Sequence, residues 1–287
     1  MSKPPSSKTQ WNPATYLEFA AYRARPAEDL MARLELRVPG AIYDLGCGPG
    51  NLTRKLKDRW PDRAVIGTDS SPEMLAKAEK SFGAADITWR LSDIATGTPE
   101  TGTPETGTPE TGTPETGTPE APPALIFTNA ALQWVPDHDR LFPRLMAAVA
   151  PGGLFAMQMP VTGEAPYHAC IKQILVRSPW RERLAGVRSD QVHAASAQRY
   201  YDLVSPLAAT VDTWEAYYHH VLKDTAAVTA WVSGTALVPY LTALREDEKA
   251  AFLADYTDLA LAAYPASKDG KVLFTMRRLF ILAERKA

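Results

Sequence analysis

Residues 44–51 read DLGCGPGN: a short apolar run that breaks on three glycines and resumes at once as an amphipathic stretch. A strand that stops on glycines and leaves directly into a helix opens a strand–helix–strand unit, and the chain repeats that alternation. AIYDLG (41–46) reads as a buried strand, and NLTRKLKDRW (51–60) as a helix capped by Asn51 and ended by Pro61. AVIGTD (64–69) is a second strand, and SPEMLAKAEKSF a second helix with Ser71 as N-cap and Pro72 at its first position. ITWRLSD (87–93), ALIFTN (124–129) and LFAMQMP (154–160) continue the strands, with a helix over 139–150. CIKQILVRS, YYDLVSPLA and TAAVTAWVSGTALVPYLTAL read as helical, and VDTWEAYYHHVL and KVLFTMRRLFILAER supply two late strands framing a helical block. Right-handed crossovers make such an order an α/β fold. The expectation is a doubly wound, mostly parallel seven-stranded sheet with an antiparallel edge strand and helical cover over the strand C-termini. We expect one domain over 1–287: an N-terminal helical cover at 11–37, a core at 41–160, and substrate-side helices and last strands at 161–287.

One segment breaks the alternation. From Thr96 to Glu120 the word TGTPE occurs five times. Each copy holds a Gly, a Pro and a Glu, so it neither propagates a helix nor offers a side chain to bury. The reading is a low-complexity insert in the crossover between the third and fourth strands, dispensable for ligand affinity. Its glutamates more than account for the formal net charge of −2, which leaves the body mildly basic but without a basic block. Binding of nucleic acid by electrostatics is therefore not expected. Cys47 and Cys170 form no metal-like or disulfide pattern. With no secretory signal and no apolar run long enough for a membrane span, a cytoplasmic protein is expected; monomer is plausible, the oligomeric state being open.

The glycine turn and the strand ends carry the chemistry. Gly46, Gly48 and Gly50 let a ligand approach the backbone at the carboxyl ends of the strands. A dinucleotide fold spaces its glycines G-x-G-x-x-G; here the spacing is G-x-G-x-G with Pro49 before the last, which disfavours a pyrophosphate cradle. Asp69 ends the second strand, where a carboxylate can accept from both hydroxyls of a ribose. Asp93 and Ile94 end the third, suited to the amino edge of adenine, and Asn129 ends the fourth. Together these describe a crevice for a nucleoside that carries something other than pyrophosphate.

DLGCGPGN, TDSSPEML and SDI together resemble the class I S-adenosylmethionine-dependent methyltransferases. WNPATYLEF, RARP (23–26), NAALQWVPDH (129–138), RYYDLV, YYHHVL, AWVSGTALVPYL and RRLFILA extend the resemblance, in order, to the trans-aconitate 2-methyltransferase family. The resemblance implies S-adenosylmethionine as cofactor. It implies Asp44 and the glycines at its methionyl end, Asp69 with Ser70 beside it at the ribose, Asp93 with Ile94 at the adenine, and Met74 flanking the ring. Tyr16 and Arg25 would bring the N-terminal cover over the cofactor. It further implies an O-methyl monoester formed on a small carboxylic acid, most readily trans-aconitate. Such an acceptor has a reference pKa of about 4 and is ionised at neutral pH, so no general base and no metal is expected.

A polycarboxylate is met by cations and hydrogen-bond donors. The candidates are Gln133, Trp134, His168, Tyr200, Tyr218 and Arg278, with Arg199, His219 and Trp231 behind them. Tyr218 and His219 are neighbours on a strand, so at most one faces inward. Where the family carries an arginine before the proline of TALVPYL this chain has Val238, and Arg277 stands where the family tends to have proline. Other readings are a related acid with fewer carboxylates, a cofactor-binding regulatory module without transfer, and a nicotinamide-dependent oxidoreductase.

Overall fold

The computed structural model describes residues 20–97, 121–187 and 194–287. Helix α1 (Ala20–Ala32) precedes β1 (Ile42–Leu45), all four of whose residues are buried. The chain then alternates through α2 (Asn51–Arg59), β2 (Val65–Asp69), α3 (Pro72–Phe82), β3 (Thr88–Leu91), β4 (Leu125–Asn129), α4 (His138–Ala148) and β5 (Leu154–Val161). It continues through α5 (Pro166–Leu175), α6 (Trp180–Arg183), α7 (Ala197–Val204), β6 (Ala208–Leu222), α8 (Thr225–Ser233), α9 (Val238–Ala243), α10 (Glu246–Ala263) and β7 (Val272–Arg285). The strands form one seven-stranded sheet in the order β3-β2-β1-β4-β5-β7-β6. Pairings β1–β2, β1–β4, β2–β3 and β4–β5 are parallel. Arg285, at the end of β7, exchanges backbone hydrogen bonds with Gly152 and Gly153 at the entry to β5, so β7 runs antiparallel to β5. The Thr213 hydroxyl donates to the Phe280 carbonyl, and Lys286 N donates to the Leu207 carbonyl, which sets β6 antiparallel to β7. The two late strands thus close the sheet as expected.

Local chemistry explains most of the element boundaries. Ser71 caps α3, its Oγ accepting from Met74 N at 3.3 Å, and Pro72 follows at N1. The expected cap on α2 is corrected. Gly50, in a left-handed conformation at φ 82°, is the N-cap, and Asn51 is already the first helical residue. A glycine is needed there because a Cβ would sit 2.6 Å from the Trp89 ring. The long helix α10 was not anticipated; its buried Phe252, Tyr256 and Ala260 are set among other apolar residues, which blurs the helical period.

Contacts group the chain into two compact units. One comprises Arg25–Pro160, Gln191–Ala216 and Arg278–Ala287. Its core covers both faces of the sheet, with Ile42 and Phe127 on one and Ile126 and Phe155 on the other, and Phe142 of α4 edge-on to Phe155 at 5.8 Å. The other comprises Met1–Ala24, Val161–Asp190 and Tyr217–Arg277. It has its own apolar core around Ile174, Val228, Trp231, Phe252, Tyr256 and Phe274.

The body fixes both ends of the insert, whose residues 98–120 lie outside those described. At the near end Gly97 N donates to the Asp93 carbonyl at 2.7 Å, and the Arg144 guanidinium of α4 binds the Ile94 carbonyl. At the far end Ala124 N donates to the Ala41 carbonyl at 2.9 Å. Loop closure changes by only about 0.6 kcal/mol per doubling of length. Excision of 101–120, leaving one copy of the repeat, is therefore expected to hold stability in urea within roughly 1–2 kcal/mol of the full chain. A larger loss would show the insert packed against the body.

Candidate functional site at the carboxyl edge of the sheet

Asp44 is the most constrained polar residue of the sheet unit. It is 2% exposed in the middle of β1, and its Oδ2 accepts from the Thr53 hydroxyl of α2 at 2.6 Å. Burial pushes its carboxyl up to about 7, opposed by the Thr53 bond and reinforced by the charge of Asp69. A buried carboxyl whose charged form is disfavoured would be relieved by a cation, the chemistry expected of the residue at the ammonium end of an amino-acid moiety.

The turn above it is shaped by left-handed glycines. Gly46 sits at φ 71°, and a Cβ there would meet the Ala131 Cβ at 2.4 Å. Gly46 N and Cys47 N both donate to the Thr68 carbonyl, at 2.8 and 2.9 Å. Gly48, at φ 55°, differs: among the described residues nothing lies within 4 Å of where its Cβ would be, so they leave this side of the turn open. Its amide donates to Asp69 Oδ2 at 2.8 Å, and Asp69 Oδ1 accepts from Ser71 N at 2.8 Å. Asp69 is thereby fixed in orientation yet half-exposed, with acceptor capacity to spare for hydroxyls. Ser70 beside it is exposed, and Met74 is half-buried in the first turn of α3. Asp93 and Ile94 follow β3, exposed and half-buried respectively, with Asp93 Oδ1 bonded to Ala95 N at 2.8 Å.

The pairing register turns these separate positions into a row. Leu45 aligns with Thr68 and with Thr128, and Asn129 with Gln158, so the next row reads Asp69, Gly46, Asn129, Gln158. After Asn129 the backbone turns sharply at Ala130, a non-glycine at φ 52°. Such a conformation stores about 1–3 kcal/mol and concentrates at working sites. Gln133 is 4% exposed and its Nε2 donates to the Ala130 carbonyl at 2.6 Å, while the neighbouring Trp134 is 50% exposed. Four buried polar atoms near this edge lack a partner among the described residues: Thr128 Oγ1, Asn129 Oδ1, Gln133 Oε1 and Gln158 Nε2.

Other candidates lie elsewhere. Tyr200 of α7 is fully buried and its hydroxyl is committed. His138 Nε2 faces the Leu132 carbonyl at 2.9 Å and so carries the proton, leaving Nδ1 to accept from the Tyr200 hydroxyl at 2.8 Å. That hydroxyl also accepts from Ala195 N at 3.1 Å. Arg199 pairs with Asp139 at 2.6 Å on the surface. Arg278 is buried on β7 in the same unit. His168, Tyr218, His219, Trp231, Val238 and Arg277 belong to the other unit. There His168 is 8% exposed on α5, and Trp231 stacks on His220 in the apolar core. Tyr218 is buried while His219 is exposed and bonds the Thr275 hydroxyl at 2.8 Å, the alternation expected of strand neighbours. Val238 is half-buried at the start of α9, and Arg277 approaches Glu164 at 3.5 Å. Arg25 is exposed on α1, and Tyr16 lies outside the described residues. Among the described residues no cluster of His, Cys, Asp or Glu is placed to hold a metal ion, and no helix is long and apolar enough to cross a membrane.

Thr53, Ala130, Ala131 and Gln158 were not anticipated. Only Gln158 had a visible signal, as a lone amide in the apolar run LFAMQMP.

Two outcomes follow from this geometry. Gly46→Ala forces a side chain into Ala131 and a left-handed backbone together, and is expected to cost about 2 kcal/mol or more in chemical denaturation. Asp44 has its folded-state value raised from 3.8 to about 7, so the native state binds more protons than the unfolded chain in that window. Its contribution to stability therefore falls as pH rises from about 4 to about 7. Asp44→Asn should flatten that part of the stability–pH curve; an unchanged slope would contradict the burial cost.

Comparison with known proteins identifies the family. A methyltransferase domain family matches residues 19–185. The trans-aconitate 2-methyltransferase of Variovorax paradoxus is 42% identical over 96% of this chain and 99% of its own length. That of an Azoarcus species is 41% identical over 96% and 99%. Among solved structures, Haemonchus contortus phosphoethanolamine N-methyltransferase 2 in complex with S-adenosyl-L-methionine superposes with a TM-score of 0.51 at 15% identity, covering 92% of this chain. The match spans about half of that longer protein, 53%, and carries the fold alone. With a buried acid under an open glycine turn, an oriented acid at the end of β2 and relatives aligned from end to end, the chain belongs to the trans-aconitate 2-methyltransferase family.

Proposed function

We propose that the chain methylates a carboxylate of trans-aconitate, using S-adenosylmethionine held along the row at the carboxyl edge of the sheet. The observation that carries this reading is the open side of Gly48 beside its bond to Asp69 at 2.8 Å. A left-handed glycine facing empty space, its amide anchored to a carboxylate that retains acceptor capacity, suits close approach by a ribose. Asp44 suits an ammonium group, Met74 and Ile94 an apolar ring, and Asp93 an exocyclic amine. When bound, S-adenosylmethionine supplies a methyl group on a positively charged sulfur that departs as a neutral thioether.

What the chain must then do is modest. The acceptor carboxylate attacks with its own lone pair and no proton moves, so binding and alignment take the place of acid–base chemistry. Alignment alone can contribute roughly 7–11 kcal/mol to such a displacement. The exposed face of Trp134, in the turn after Asn129, would cover the acid and exclude water.

Two measurements test the reading. Asp69→Ala is expected to weaken binding of S-adenosylmethionine about 10- to 100-fold in calorimetry, the range for hydrogen bonds to a charged group. Tight binding of a nicotinamide dinucleotide without binding of S-adenosylmethionine would overturn the assignment. Across a panel of di- and tricarboxylic acids, kcat/KM is expected to be highest for trans-aconitate, with a monoester as product. Its kcat should not vary from about pH 6 to 9, because every carboxyl of the acceptor is then ionised and no base is needed. A bell-shaped kcat would point to a titrating catalytic group. Turnover of another acid alone would assign the substrate-side difference at Val238 to specificity.

A further inference from the structure

Gln158 stands in the interior of β5 among Met157, Met159 and Phe155, and is 1% exposed. Its Nε2 carries two N–H groups and has no partner among the described residues. A buried donor left unmet costs about 1–3 kcal/mol, and native strands rarely keep one without a reason. Any apolar side chain of that length would satisfy the sheet better. The backbone offers no explanation either, since the Gln158 carbonyl is already used by Ala130 N at 2.9 Å.

Its surroundings sort by charge. The register partner Asn129 presents an unmet Oδ1. Gln133 cannot turn its amide over, because Nε2 is fixed on the Ala130 carbonyl at 2.6 Å, so Oε1 is the atom left unmet. Two carbonyl oxygens thus favour a cation or an N–H on their side of the row, and one amide N–H favours an anion on the other. The row runs Asp69, Gly46, Asn129, Gln158, and three strand spacings of about 4.8 Å put Gln158 roughly 14 Å from Asp69. A group held at Asp69 by its ribose therefore leaves Gln158 at the far end of the row.

We propose that Gln158 binds the acceptor acid, its Nε2 donating to a carboxylate oxygen and so determining which acids are accepted at the end of the row. This rests on the functional reading above and adds a residue to it. An uncharged amide fixes the carboxylate without the full counter-charge of an arginine, which would draw density from the attacking oxygen. The neighbouring carbonyl oxygens of Asn129 and Gln133 repel a second acidic group placed beside the first.

The test uses Gln158→Met, close in length and without the amide, and Gln158→Glu, which puts a negative charge at the same place. With Gln158→Met, the KM for trans-aconitate should rise about 10- to 100-fold, with kcat changed far less. Calorimetric binding of trans-aconitate to protein saturated with S-adenosylhomocysteine should weaken by the same factor. Affinity for S-adenosylmethionine should stay within about twofold, since a hydrogen bond lost from the acid alone leaves it untouched. The ligand-free Gln158→Met chain should melt no lower than the parent, because an unmet N–H has been removed. Gln158→Glu should weaken the acid further than Gln158→Met. An unchanged acid affinity in Gln158→Met overturns the proposal. So does a lowered melting temperature with both ligands weakened alike, which would make the amide a structural group. If the parent chain itself transfers no methyl to trans-aconitate, the functional reading fails and the Gln158 proposal fails with it; normal parent turnover with an indifferent Gln158→Met removes the proposal alone.

Discussion

The carboxylate of Asp69 joins the parts on which the site depends. One oxygen takes the amide of Gly48 from the turn after β1, and the other takes the amide of Ser71 at the cap of α3. The first strand–helix turn, the second strand and the second helix are thereby held in one geometry by a single side chain. The turn can reach Asp69 only because Gly46, Gly48 and Gly50 adopt left-handed backbone, and Gly46 lies too close to Ala131 to carry a side chain. Below it Asp44 is kept out of water with its Oδ2 accepting from the Thr53 hydroxyl, a costly arrangement that a cationic ligand would relieve. Fold and binding chemistry are set by the same few atoms.

Much of this was legible in the sequence because the signals are local. Strands buried along most of their length, a helix opened by Ser71 and Pro72, and glycines between strand and helix each follow from one short stretch. The alternation of Tyr218 and His219 follows from the period of a strand. What was illegible depends on neighbours distant in sequence. Asn51 looks like a cap until the left-handed Gly50 takes that position. Tyr200 looks like a free phenol until His138, 62 residues away, claims its hydroxyl. Helix α10 hides its period because tertiary packing rather than an apolar stripe selects its buried residues. Gln158 gave its signal, one amide in an apolar strand, but its meaning needs the register with Asn129.

Charge runs along the row in an order that suits methyl transfer to an acid. Asp44 and Asp69 lie towards the end where a cationic, sugar-bearing ligand is expected, and carbonyl oxygens of Asn129 and Gln133 follow. The neutral donor of Gln158 comes last. Such a row needs neither base nor metal to act on an ionised carboxylate, since holding two oppositely charged partners in line is the larger part of the chemistry. The same arrangement explains why specificity can shift with single donors.

The most direct measurement is the structure of the protein with S-adenosylhomocysteine and trans-aconitate both bound. The ribose hydroxyls are expected on Asp69, the amino-acid end over Gly46 and Gly48, and a carboxylate of the acid beyond Asn129 within hydrogen-bonding distance of Gln158 Nε2. Nucleoside bound away from Asp69, or the acid seated on the Asp93 side of the row, would contradict the assignment of the site.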